Sequence, residues 1–349
     1  MARNIAVALP RSRRFRRIDV LVLAMLAMIL VGAGGVAQAL ETCPSRAISS
    51  CPCGIKSEGT YILSNSLTLS TPGDCIHISA SNVTLDLGGF TITGQPGQSS
   101  TLSGIGIWIL PGTTGVSVIG SGSTSASANA ISQFQIGMEV DGANAVVDDV
   151  EADSNHAGIR FNGPGAFGLN LTAQFNEKNG IVALPSAVAP YLTNLFADAN
   201  QGSGVKLNGT KGGFLAVVEA SSNAGYGVWL SGASYNTLAD FTLSKNTWAG
   251  VYLGCYKYGE LGKTCPAGSH QSSDNIITSV STDPSNVSAG VGTPSYGIAI
   301  NVGNSYNRVI GVTATNSPTY DAIDENKNCG TDLWFNNTFT VKNQPGCIH

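Results

Sequence analysis

Asp149, Glu151 and Asp153 occupy every second position of one short stretch, and Arg160 follows seven residues after the last of them. In an extended strand, alternate side chains leave from one face, here about 6.6 Å apart. Three carboxylates so placed offer the hard oxygen ligands that Ca²⁺ takes, or simply a solvated acidic face. Asp198 and Glu219 form a second acidic pair. If the chain coils with a period near 23 residues, their Cα atoms lie about 8 Å apart, close to the spacing of an inverting acid–base pair. Lys206, Trp229 and Tyr252 recur at steps of 23. A cation beside two aromatic faces could hold an acidic sugar ring, or the strip could lie under a cover from the same chain.

These residues need an element that repeats. A glycine followed by alternating apolar residues occurs at Gly137, Gly158, Gly180, Gly204, Gly227 and Gly250, at spacings of 21, 22, 24, 23 and 23, with Gly297 a further 47 on. Asn176, Asn200, Asn223 and Asn246 each precede their glycine by four residues, and Asn155 by three. A fixed period of this length made of strands alone indicates a solenoid. Five positions before each Asn stand Val150, Leu171, Leu195, Val218 and Phe241; three before stand Ala152, Ala173, Ala197, Ala220 and Leu243. Both columns should face the interior. The asparagines should form a ladder in the turn, a structural duty rather than a catalytic one.

Composition agrees. Of 349 residues, 43 are Gly, 27 are Asn and only 11% are charged, which excludes long helical bundles. A net charge of −4 gives no basic footprint, so nucleic acid is not an expected partner. Six arginines between Arg3 and Arg17, an apolar run over 20–36 and the A-Q-A of 37–39 have the form of a secretory signal peptide. Its removal leaves a net charge of −9. The eight cysteines all follow residue 39, and an even count in an exported chain favours disulfides. Clustering suggests Cys255 with Cys265, Cys329 with Cys347, and two bonds among Cys43, Cys51, Cys53 and Cys75. A zinc site at Cys51 and Cys53 is the competing reading.

With these repeats, the chain resembles the right-handed parallel β-helix repeat family, the pectin-lyase-like superfold. NVTLDLGGFTITG (82–94) is similar to the first coil of many exported members, and CGTDLWFNNTF (329–339) to their closing segment. The resemblance implies an all-β, right-handed single-stranded parallel β-helix of about ten coils. The expected divisions are a signal peptide at 1–39, a disulfide-stapled cap and first coils at 40–99, repeats over 100–325 with insertions at 254–274 and 284–295, and a cap at 326–349. Lyases of the family use acidic residues with Ca²⁺ to hold a uronate while Arg or Lys removes a proton. By that resemblance Glu151 and Arg160 are the catalytic candidates, Asp149, Glu151 and Asp153 the metal candidates, and Ca²⁺ the one candidate cofactor. Lys206, Trp229, Tyr252, Asp198 and Glu219 are the substrate-binding candidates.

The expected function is binding or cleaving of an extracellular polysaccharide, acidic polymers included, by a monomer that is secreted, periplasmic or on the cell surface and free of the membrane after signal cleavage. If catalytic, it would be a polysaccharide lyase or glycoside hydrolase. The alternative is a non-catalytic surface, adhesion or structural module.

Overall fold

The computed structural model describes residues 40–95, 104–121, 129–256, 265, 269–283 and 295–349. The signal-peptide expectation at 1–39 and most of the two insertions lie outside the described residues. The described strands form two parallel sheets, one of 18 short strands and one of 11. Every pairing joins one coil to the next in parallel, which is the right-handed parallel β-helix expected from the repeats.

The interior forms as the period-two columns require. Val150, Leu171, Leu195, Val218 and Phe241 are buried, as are Ala152, Ala173, Ala197, Ala220 and Leu243. The inner face of the 11-stranded sheet adds Ile159, Ile181, Val205, Val228 and Val251, all inaccessible to solvent. Small Ala side chains at one column and larger ones at the next fill a narrow core.

Corners are set by single left-handed residues. Ser154, Phe175, Ala199, Ser222 and Lys245 all have φ near +55°, and each is followed by a ladder Asn. The Asn200 side chain accepts from the Asn176 backbone N–H at 3.0 Å and donates to the Ala173 carbonyl at 3.0 Å and to Asn223 Oδ1 at 3.0 Å. The repeated glycine serves this ladder. A Cβ on Gly227 would lie 2.7 Å from Asn246 Nδ2 and 2.8 Å from the Gly250 carbonyl, so only glycine fits.

A second ladder, Asn236, Asn275 and Asn307, occupies the corner that leads into the 18-stranded sheet. The insertion after Cys255 stretches its period, which hid it from the repeat alignment. Four disulfides close the chain: Cys43–Cys53, Cys51–Cys75, Cys255–Cys265 and Cys329–Cys347. Cys51 and Cys53 are therefore not zinc ligands.

Candidate functional site

The outer face of the 11-stranded sheet carries one continuous column. Register places His77, Trp108, Glu139, Arg160, Val182, Lys206, Trp229, Tyr252 and Ala299 side by side on successive coils. Its first half is a polar network. Arg160 Nη2 donates to Glu139 Oε1 at 3.0 Å, yet burial pushes the Glu139 carboxyl up to about 7 against the pull of that guanidinium. Trp108 Nε1 donates to Asp141 Oδ2 at 2.7 Å, and Asn162 Nδ2 to Asp141 Oδ1 at 2.8 Å. His77 Nε2 lies 2.7 Å from Asp74.

The second half of this column is apolar. Lys206 Nζ sits 3.5 Å from the centre of the Trp229 ring, and burial lowers the lysine to about 8. Tyr252 is fully buried, stacked on Tyr226 at 4.5 Å in a cluster with Ala249, Ala299 and Ile323. The column does point away from the core, but Tyr252 offers no open platform to a sugar ring. Trp229 is half-buried beneath the lysine that was expected to hold a substrate carboxylate.

The acidic triplet is divided by a corner. Asp149 has φ +56° and lies between the strands Val146–Asp148 and Glu151–Asp153. That left-handed residue interrupts the alternation, so the three carboxylates do not share one row. No group of three or more His, Cys, Asp or Glu side chains suited to a metal occurs among the described residues. Glu151 and Asp153 do remain a pair. Burial, then the hydrogen bond and charge of Glu151, push Asp153 up to about 8, while its Oδ1 accepts from the Gln174 backbone N–H at 2.7 Å.

Arg160 sits in the other sheet and pairs with Glu139, so the structure does not bring Arg160 and Glu151 together. Asp198 repeats the duty of Asp153. Its Oδ1 accepts from the Ser221 backbone N–H at 2.6 Å, and burial raises it to about 6. Glu219, on the next coil, is exposed.

Two features of the 18-stranded sheet escaped the sequence reading. Phe167, Tyr191 and Phe214 pair in register along its outer face, and Phe167 and Tyr191 are 43% and 40% exposed. Tyr191 and Phe214 stack with centroids 5.0 Å apart and planes 16° from parallel. Phe167 tilts onto Tyr191 at 6.0 Å. Each stands nine residues before its ladder Asn, so the alignment that found the core columns contained this one too. The same register column continues through Thr237 and Ile276 to Arg308 and Leu333. There a cavity of about 460 Å³ opens, lined by Tyr235, Asp274, Ile276, Tyr306, Arg308 and Leu333 among others.

Solved structures of the same fold include the Dettilon tailspike protein, at 14% identity and TM-score 0.55 over 82% of this chain and 59% of that one. The A-module of the mannuronan C-5 epimerase AlgE4 of Azotobacter vinelandii matches at 14% identity and TM-score 0.53, covering 75% and 84%. The catalytic domain of an alpha-1,3-glucanase, solved in complex with tetrasaccharides, matches at 12% identity and TM-score 0.54, covering 87% and 62%. The chain thus spans about three fifths of the tailspike and glucanase chains, and at these identities the likeness is one of fold. No curated protein matches it. The family described as "Periplasmic copper-binding protein (NosD)" matches residues 98–278, more than half of the chain, and the protein belongs to that parallel β-helix family.

Proposed function

We propose that this protein binds polysaccharide along the outer face of its 18-stranded sheet. The observation that carries the reading is the stacked series Phe167, Tyr191 and Phe214, one ring per coil, of which Phe167 and Tyr191 are exposed. A strip of large apolar rings partly open to water at a regular step suits the apolar faces of successive sugar rings. The epimerase and glucanase named above, which share the fold, are proteins of saccharide chemistry. A periplasmic or extracellular location follows from the family and fits four disulfides.

The family description also names copper, and the described residues do not fit that ion. Copper takes thiolate, thioether and imidazole ligands. All eight cysteines are in disulfides, Met138 is sealed in the core, and the other three methionines lie in 1–39, outside the described residues. His77 and His156 each engage a carboxylate on widely separated coils, His270 packs on Tyr256, His349 is exposed, and no group of three or more His, Cys, Asp or Glu suited to a metal occurs among the described residues.

Cleavage is the second reading, and the Glu151–Asp153 pair favours it. A carboxyl held protonated at neutral pH beside another carboxyl is a general-acid arrangement. Affinity electrophoresis against a panel of neutral and uronate polysaccharides tests binding, with Tyr191→Ala and Phe214→Ala expected to abolish retention. Retention unchanged in both variants would refute the aromatic track. Assay of the same mixtures for new reducing or unsaturated ends tests cleavage, which Glu151→Gln and Asp153→Asn should remove while retention persists.

A further inference from the structure

The cavity at the far end of this sheet contains an interrupted aromatic ladder. Backbone bridges join Ser234, Ser273 and Ser305 on successive coils. The residues that follow them, Tyr235, Asp274 and Tyr306, therefore stand in one column. All three are left-handed, with φ of +61°, +56° and +59°. The same corner one coil earlier holds Gly212 at φ +70°, the residue such backbone favours. Two bulky tyrosines stand there instead, 65% and 60% exposed, so both rings are largely open to solvent.

Spacing sets the distance between the two tyrosines. Coils stack at about 4.8 Å, so Tyr235 and Tyr306 are separated by about 9.6 Å of backbone. Rings that stack one coil apart in this protein, Tyr191 and Phe214, have centroids 5.0 Å apart. Two such steps match the tyrosine separation, which leaves room for one ring between them. The middle coil supplies Asp274, a carboxylate, where a third ring would stand. Arg308, two residues beyond Tyr306, lines the same cavity. Among the described residues neither Asp274 nor Arg308 has an ion-pair partner.

We propose that the cleft between Tyr235 and Tyr306 is a subsite for one neutral pyranose ring of a polysaccharide. The tyrosines take its two faces, Asp274 accepts from its hydroxyls, and Arg308 donates to them. An acceptor and a donor of opposite charge in one cleft match hydroxyl groups better than a carboxylate. The net charge of −9 that remains after residues 1–39 are removed also disfavours a polyanion. The inference rests on the polysaccharide reading of this sheet and specifies the sugar that the sheet takes.

The test uses the full mature chain and titrates neutral gluco- and manno-tetraoses and a mannuronate tetraose, followed by calorimetry. Tyr235→Gly and Tyr306→Gly relieve the left-handed strain, so each should fold as well as the parent or better, read as an unchanged or raised Tm. Each should weaken neutral tetraose binding at least tenfold, whereas Phe214→Ala should lose polymer retention. If Phe214→Ala loses polymer while both glycine variants bind every tetraose normally, the cleft proposal fails and the aromatic track stands. Tighter binding of the mannuronate tetraose, lost in Arg308→Ala, overturns the neutral ring. A parent protein that binds no tetraose and no polymer overturns both readings.

Discussion

Truncation of one ladder residue, Asn200→Ala, should destabilise the coils around it severely. Asn200 is buried, and its Oδ1 accepts from the Asn176 backbone N–H at 3.0 Å and from Asn176 Nδ2 at 2.9 Å. Its Nδ2 donates to the Ala173 carbonyl and to Asn223 Oδ1. Asn223 keeps an alternative, because the Asn200 backbone N–H also reaches its Oδ1 at 3.0 Å. Asn176 N–H and Ala173 C=O have none.

Two buried backbone groups left unpartnered, at about 1–3 kcal/mol each, plus a small cavity, give a loss of about 3–5 kcal/mol. The local assay is hydrogen exchange at the Asn176 amide, where 3 kcal/mol corresponds to roughly a hundredfold faster exchange. Asn194→Gly is the control. Asn194 is an exposed left-handed residue, with φ +54°, that makes one side-chain bond to Asn170, so its loss should be within about 0.5 kcal/mol. Equal exchange at Asn176 in the two variants would refute the argument that the ladder holds the coils.

Other outcomes follow from the same geometry. Glu139, Asp153, Asp198 and Asp332 are all raised above ordinary carboxyl values, to about 7, 8, 6 and 7. The folded chain thus keeps protons that the unfolded chain has released, so stability should fall as pH rises from about 4 to 8, and Asp153→Asn should flatten the upper part of that slope. Urea midpoints across this range check the sign, and rising stability would contradict it. The cation–π contact of Lys206 on Trp229 should be lost as the lysine deprotonates near 8, giving a tryptophan emission change that is absent in Lys206→Met. Replacing both Cys329 and Cys347 by Ala opens an 18-residue loop and should cost about 3 kcal/mol, seen first as proteolysis near Trp334 rather than at the central coils.

Much of the fold was legible because stacking forces repetition. The Asn and Gly columns and the two core columns have fixed offsets, and each offset has one geometric meaning. The run Lys206, Trp229 and Tyr252 was read in correct register for the same reason. What alternation could not supply was the corner at Asp149, since a single left-handed residue carries no hydrophobic signal and Asp tolerates it well. Nor could it supply cover. Tyr252 points outward and is still buried, because alternation fixes the direction of a side chain and says nothing of what lies above it. Phe167, Tyr191 and Phe214 were missed because a left-handed residue, Asn170, Asn194 or Val217, stands between each ring and the core columns and breaks the alternation that would have placed it.

The two asparagine ladders have one more property, which concerns direction. In both, the side-chain N–H of one coil points to the oxygen of the next, from Asn176 to Asn200 to Asn223 to Asn246, and from Asn236 to Asn275 to Asn307. The amide dipoles therefore add head to tail, and the stack is polar along its axis. The second series ends when Asn307 Nδ2 donates to Asp332 Oδ1 at 3.0 Å. Asp332 accepts on both oxygens, Oδ1 also from the Asn307 backbone N–H and Oδ2 from Asn326 Nδ2 at 3.1 Å, and unlike Asn it has no amide N–H to pass on. Asp332 thus works as a chain terminator, ending a pattern that another asparagine at the same place would have left open to a further coil.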